Sequence, residues 1–258
     1  MKKKIALTIA GLDGSSGAGI LADTKTFLAH NLYALNVVTS IAIQNTTGVK
    51  DKFDIDEDIL DKQLKVLFED ININVIKIGM IPNKKSIKII AKYIKNYNIK
   101  IVLDPVIASS SGYKLLNEKG IKTLKTKLIP ITDIITPNIK EAEILTNCKI
   151  NSVKKMKKAA EKLYSMGTKA VLLKGGHLPG KKAIDILYDG KKFYCFKNKK
   201  IKSNTNFHGT GCVLASSIAA NIANGLDMKI SVRKAKDFVT KQIKHSFKIS
   251  PKGAKYII

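Results

Sequence analysis

Short apolar runs recur along this chain, and almost every one stops on a glycine or a polar residue before a longer amphipathic stretch begins. The runs at 5–10, 34–43, 75–78, 101–103, 134–135 and 170–173 read as strands. Between them, the spacing of apolar residues predicts helices near 20–30, 56–68, 84–97 and 115–127. Ser152 is placed to cap a further helix, with Val153, Met156, Ala160 and Leu163 on its inner face and Gly167 as its stop. Residues 184–188 and 193–196 are joined by Asp189-Gly190, the dipeptide of a tight hairpin, and predict an antiparallel edge. A last amphipathic helix is expected near 230–247. Strands alternating with helices in this way require a mostly parallel sheet covered on both faces. No repeat, Pro-rich linker or low-complexity block divides the chain, so residues 1–258 are expected to form one domain.

In such sheets ligands bind beyond the carboxyl ends of the strands. The glycines and polar residues fall at that edge in segment after segment: Gly11 and Asp13, Gln44 and Asn45, Gly79 and Met80, Asp104, Asn138, Lys174. That repetition predicts an active site along one rim. His208-Gly209-Thr210-Gly211-Cys212 runs into the apolar stretch 213–223, with Leu214, Ile218 and Ile222 at near-helical spacing and Gly225 where a left-handed cap belongs. The turn is therefore the start of a buried helix. Its unpaired N–H groups and positive dipole end suit an anion, and glycine lets one approach closely. Read on its residues alone, Cys212 is a buried structural cysteine, because free cysteine is commonly buried.

A net charge of +26 taken by itself suggests a polyanionic partner. Against that, Arg233 is the only arginine, and the lysines are spread along the chain instead of forming a tract. Dedicated phosphate and base readers draw heavily on the arginine fork. No specific nucleic-acid partner is expected. No apolar run reaches the ~18 residues of a membrane span, and 5–10 is too short for a signal core, so a cytoplasmic location is expected. Cys148, Cys195 and Cys212 are an odd count without Cys-x-x-Cys spacing, which argues against a disulfide framework or a zinc site.

Several stretches together resemble the hydroxymethylpyrimidine/phosphomethylpyrimidine kinases of thiamine biosynthesis, in the ribokinase superfamily. They are Ala6-Leu7-Thr8-Ile9-Ala10-Gly11, Gly17-Ala18-Gly19, Ala22-Asp23, Gln44-Asn45-Thr46, Lys77-Ile78-Gly79-Met80, Leu103-Asp104-Pro105-Val106, Ile135-Thr136-Pro137-Asn138 with Glu141-Ala142-Glu143, Leu173-Lys174-Gly175-Gly176-His177-Leu178, and the 208–212 turn. Each is weak alone; their order and spacing are specific. The resemblance implies a ribokinase-like three-layer α/β/α sandwich, its central sheet mostly parallel with antiparallel edge strands. It also implies ATP and Mg²⁺ as cofactors, an aminopyrimidine alcohol as substrate, and a homodimer. The chain departs from the family pattern at Leu12, Gly14, Val213 and the 249–258 ending.

On this resemblance Gly209, Thr210, Gly211 and Cys212 form the anion hole for the transferred phosphoryl group. Cys212 becomes a weak general base, its pKa expected to be lowered at the helix N-terminus. Lys174, Asn138 and Asp104 are assigned to ATP, and Glu141 with Asp104 to the metal through water. Without the resemblance Asn138 and Glu141 read equally well as helix-start residues, and Lys174 as a solvated lysine. Gln44, Asp23 and Met80 are assigned to substrate, with Gly11, Ala42 and Ile107 as walls. The amide of Gln44 is the reciprocal of an amino group beside a ring nitrogen. Pyridoxine/pyridoxal kinase is the alternative activity, and a non-catalytic binding domain derived from such a kinase is the alternative class.

Overall fold

The computed structural model describes residues 3–176, 178–201 and 203–258. His177, part of the 173–178 motif, lies outside the described residues. In chain order the elements are β1 (Ile5–Asp13), α1 (Gly19–Ala29), β2 (Tyr33–Asn45), β3 (Gly48–Asp54), α2 (Glu57–Asp70), β4 (Val75–Ile78), α3 (Lys84–Ile94), β5 (Lys100–Leu103), α4 (Glu118–Thr123), β6 (Ile134–Ile135), α5 (Ile139–Thr146), α6 (Val153–Tyr164), β7 (Val171–Gly175), β8 (Lys182–Tyr188), β9 (Phe193–Lys199), β10 (Phe207–His208), α7 (Thr210–Ala223), α8 (Met228–Lys244) and β11 (Lys255–Tyr256).

Nine strands form one sheet in the order β3-β2-β1-β4-β5-β6-β7-β8-β9. Its interior, from β2 to β7, is parallel; β3 at one edge and β8 and β9 at the other are antiparallel. Side chains alternate between two cores, as the pleat requires. Leu7, Ile9, Ile76, Ile78, Ile101 and Leu103 join residues of α2, α3, α5 and α6 in one. Ala6, Val75 and Val102 join α1, α7 and α8 in the other. The expected sandwich is therefore present.

Local sequence explains most helix limits. Asn83 accepts from the N–H groups of Lys85 and Ser86 and starts α3. Ser152 accepts from Lys155 N–H, Met156, Ala160 and Leu163 are buried, and Gly167 turns the chain at φ +107°. Gly225 takes φ +87° just past α7.

Four differences have physical causes. The expected 115–127 helix begins only at Glu118, because Asn117 caps Gly120 N–H. It then widens into a π-helical turn at Leu124–Leu128 and tightens at Ile129–Ile131, which contains Pro130. The last helix starts two residues early on the Asp227 cap and ends at Lys244. β3 escaped the periodicity because Lys50, Asp51 and Lys52 mask it, charges being usual on an edge strand. The 249–258 ending supplies β11, which pairs His208 with Tyr256.

Candidate active site

The strand order reverses between β1 and β4, so a crevice opens beyond their carboxyl ends. Gly11 and Met80 meet there: a Cβ on Gly11 would stand 2.8 Å from Met80 Sδ. Thr39 Oγ1 donates to the Met80 carbonyl at 2.6 Å and fixes its backbone. Ala42 and Gln44, two residues apart on β2 and both half-buried, share one side of that strand, and Ile107 is buried beyond β5.

The 209–212 turn begins α7. Gly209 is its N-cap at φ +81° with no side-chain cap, so the first-turn N–H groups have no side-chain partner at the cap. A Cβ at Gly209 would lie 1.7 Å from the Gly17 carbonyl oxygen, and one at Gly17 2.2 Å from His208 Cδ2. The first loop and the turn therefore touch nearly backbone to backbone. Helix α1 also starts without a side-chain cap, and the Gly19 backbone at its start favours the ionised form of Cys212. Two helix N-termini converge on this thiol.

That convergence does not lower the Cys212 pKa as the sequence suggested. Burial pushes the thiol up to about 11; Lys77 opposes this, while the Asp23 and Asp104 carboxylates add to it. Desolvation, with the two carboxylates, outweighs the Lys77 ammonium and the Gly19 backbone.

A second cluster stands beside the turn. Lys174 Nζ donates to Asp104 Oδ1 at 2.8 Å, and Thr136 Oγ1 donates to the same oxygen at 3.1 Å. A Cβ at Gly211 would fall 3.3 Å from Lys174 Nζ and 3.4 Å from Asp104 Oδ2, so the glycine faces this pair. Burial alone would lower the Lys174 pKa, but Asp104 and then Glu141 more than offset it, and the net direction is upward. Asn138 and Glu141 form a reciprocal capping box on α5: Asn138 N–H donates to Glu141 Oε2 at 2.8 Å, and Glu141 N–H to Asn138 Oδ1 at 3.0 Å. Both the capping reading and placement beside the cluster hold. Burial raises the Glu141 carboxyl to about 7, with Lys174 opposing and Asp104 adding to the rise.

Among the described residues no three His, Cys, Asp or Glu side chains gather as a closed metal cage. Two buried carboxylates, Asp104 paired with the Lys174 ammonium and Glu141 beside them, instead suit a hard cation that keeps most of its water. The donor chemistry fits Mg²⁺ of that kind.

Asp23 is elsewhere than the substrate assignment implied. It is fully buried, accepting from Thr8 Oγ1 and Lys77 Nζ on Oδ2 and from Ser216 Oγ on Oδ1. With both oxygens engaged inside the core behind Cys212, it is an anchor of the floor and not a wall of the crevice.

Sequence reasoning assigned no role to Asp13 or His208, which the structure joins. His208 Nε2 lies 2.8 Å from Asp13 Oδ2 and 3.5 Å from Gln44 Nε2. The carboxylate also receives Ser15 N–H and Oγ, Gly17 N–H and Ala18 N–H. Burial works against its charge, yet the His208, Ser15 and Gln44 donors hold its pKa well below the ordinary carboxylate range. The available signal was an aspartate among glycines at a strand end.

The profile described as phosphomethylpyrimidine kinase matches residues 13–256. The chain belongs to the phosphomethylpyrimidine kinase family. Among members of this family it is 48% identical to a hydroxymethylpyrimidine/phosphomethylpyrimidine kinase of Aquifex aeolicus over 95% of this chain and 96% of that one. The crystal structure of phosphomethylpyrimidine kinase from Clostridium difficile 630 is 41% identical, with a TM-score of 0.83, covering 93% of this chain and 100% of the other. A pyridoxal kinase from Staphylococcus aureus, in complex with AMP-PCP and pyridoxal, has a TM-score of 0.92 at 33% identity, covering 100% and 94%. As a member of a phosphomethylpyrimidine kinase family the chain is a phosphotransferase, and ATP use comes with kinase membership. Among the described residues no helix is long and apolar enough to cross a membrane.

Proposed function

We propose that this chain transfers the γ-phosphoryl group of ATP to 4-amino-5-hydroxymethyl-2-methylpyrimidine, and then phosphorylates the monophosphate to the diphosphate. The observation that carries the reading is the 3.5 Å approach of Gln44 Nε2 to His208 Nε2, the residue opening the 209–212 turn. An amide able to read an aminopyrimidine thus sits next to uncapped N–H donors able to hold a phosphoryl group.

Phosphoryl transfer depends on positioning and charge stabilisation more than on covalent chemistry. Gln44 takes the amino and ring-nitrogen edge, Met80 lies against the ring, and Gly11, Ala42 and Ile107 bound it. The N–H groups of the 209–212 turn stabilise negative charge on the transferred group, and Lys174 supplies a point charge to the phosphates. Asp104 and Glu141, with Asn138 ordering the Glu141 side chain, would hold hydrated Mg²⁺, which supplies charge neutralisation at the phosphates. Cys212 is the proposed acceptor of the hydroxyl proton. With its thiol raised to about 11 it is a weak base, and Lys77 is the cation that eases its ionisation.

Phosphorylation of a pyridine alcohol is the second reading, motivated by the fold shared with the Staphylococcus aureus pyridoxal kinase. A pyridoxal ring lacks the amino–nitrogen edge, so Gln44 favours the pyrimidine. Purified chain with ATP and Mg²⁺ should convert the aminopyrimidine alcohol to mono- and diphosphate, resolved by mass spectrometry, faster than it phosphorylates pyridoxal. Turnover of pyridoxal alone would sink the reading.

A homodimer is proposed as well. Ile41 and Ile43 on β2 and Phe53 on β3, which pairs with Ile41, leave an exposed apolar face on the outer hairpin that suits a second copy of this chain.

A further inference from the structure

Resting on the reading of Lys174 as the cation that meets the ATP phosphates, we propose that Lys236 on α8 is a positioning residue: by pairing with Asp185 it keeps a buried carboxylate on the next strand from drawing Lys174 away from Asp104 and the nucleotide. In the antiparallel register of β7 and β8, Lys174 stands opposite Asp185. Residues directly opposite share one face of a sheet, with Cβ atoms about 5 Å apart. Leu172 and Leu187, each two residues away on the same strands, are also partners, and both lie in the core shared with α7 and α8. Lys174 and Asp185 therefore face the same helices.

A lysine and an aspartate so placed would ordinarily pair. Lys174 instead reaches past β6 and donates to Asp104 Oδ1, beyond the end of β5, at 2.8 Å. Both oxygens of Asp185 are engaged otherwise. Oδ1 accepts from Gly175 N–H at 2.9 Å, and Oδ2 accepts from Lys236 Nζ. Asp185 and Lys236 are both buried. A buried ion pair adds little to stability over an apolar pair of the same shape, but losing one partner leaves a charge with nothing to neutralise it. Here that charge would stand opposite Lys174.

Lys236 arrives from a helix whose Val232 and Ala235 pack in the same core as Leu214 and Ile218 of α7, the helix that begins at the anion-binding turn. The main chain of Lys174 is already held. Its N–H donates to the Pro137 carbonyl at 2.8 Å, beside Asn138, and the next N–H, that of Gly175, is the one Asp185 takes. Only the side chain keeps a choice, as a flexible four-carbon stem ending in a compact charge. Lys236 settles that choice by satisfying Asp185 first.

Lys236→Met should raise KM for ATP about tenfold or more, the scale of one lost charge-assisted contact, with KM for the aminopyrimidine alcohol within about threefold of wild type. Adding Asp185→Asn removes the lone charge while its amide oxygen still accepts Gly175 N–H, so the double variant should bring KM for ATP back to within about threefold of wild type. A role confined to holding the fold predicts no such recovery, since the double variant has lost the ion pair altogether. A folded Lys236→Met with wild-type KM for ATP, or a double variant whose KM for ATP stays as high as that of Lys236→Met, overturns the proposal. Because Lys236→Met leaves a charge alone in the core, it can fail to fold. The double variant, free of that charge, then decides by itself: a KM for ATP within about threefold of wild type supports the proposal and a larger rise overturns it. Lys174→Met separates the two readings. If its KM for ATP equals that of wild type, the assignment of Lys174 to the phosphates falls and the proposal with it; if its KM for ATP rises and that of Lys236→Met does not, only the proposal falls.

Discussion

Lys77 Nζ donates to Asp23 Oδ2 across 2.7 Å, and neither side chain is open to solvent. Thr8, which pairs with Lys77 across β1 and β4, donates to the same oxygen, and Ser216 reaches the other from α7. Burial alone would lower the Lys77 pKa, but Asp23 reverses the direction and raises it. Ser216 lies one helical turn beyond Cys212, so the buried pair supports the face of α7 that carries the thiol. Removing one partner leaves a lone charge in the core. Lys77→Met should therefore lower the unfolding free energy by about 3–5 kcal/mol, and adding Asp23→Leu should recover part of that loss. Urea denaturation of both variants checks this; a Lys77→Met protein as stable as wild type would remove the pair from any structural role.

The turn glycines are needed for different reasons. Gly209 combines φ +81° with a Cβ position 1.7 Å from a backbone oxygen. Gly209→Ala should lose at least the ~1–3 kcal/mol of a strained left-handed residue, and activity with it. Gly211 has no positive φ and meets only Lys174 Nζ and Asp104 Oδ2. Gly211→Val should leave the melting temperature nearer to wild type while blocking approach to the anion-binding N–H groups and lowering kcat. A Gly211→Val enzyme with wild-type kcat would show that the phosphoryl group lies elsewhere.

The outer hairpin offers a separate test. If Phe53 and Ile43 face a second copy, Phe53→Glu places a charge in that contact, and light scattering should record a monomer where wild type is a dimer. Wild type running as a monomer over the micromolar range would refute the proposed homodimer.

The parallel interior of the sheet and the rim were legible because strands buried on both faces carry unbroken apolar runs that end abruptly. Gly11, Met80, Asp104, Asn138 and Lys174 could be placed at strand ends from that pattern alone. The pairing of Lys174 with Asp104 was not, since the residues are 70 apart and nothing local records their meeting. Asp23 was misplaced for the opposite reason: an acid in the first turns of a helix looks solvated unless the lysine that neutralises it, 54 residues on, is known to be its partner. β11 stayed hidden because its two residues pair with Phe207 and His208, and Ala254 just before them donates its N–H to the Thr46 carbonyl, contacts that no periodicity encodes.

Cys212 yields the sharpest prediction, because its surroundings oppose the chemistry its position suggests. Its pKa of about 11 lies above the ordinary thiol value of 9.0, with burial as the main cause. The fold thus favours the neutral thiol: this contribution to stability is complete below about pH 9 and is lost as pH rises through 11. Cys212→Ala removes it, so the variant should lose stability less steeply than wild type between those values. Iodoacetamide should modify Cys212 slowly at neutral pH, the rate climbing with pH toward 11, while the exposed Cys148 and Cys195 react first; peptide mass spectrometry separates the three. On turnover, general-base assistance accounts for about 10²–10⁴ in rate. Cys212→Ala should accordingly lower kcat by about a hundredfold or more with little change in either KM, and Cys212→Asp should recover part of the loss, because a carboxylate accepts the same proton. A thiol that must first ionise against its burial assists weakly, which puts the expected loss at the lower end of that range. Should Cys212→Ala turn over like wild type, the hydroxyl proton passes to solvent or to the phosphoryl oxygens, and the cysteine serves only to pack the junction of α1 and α7.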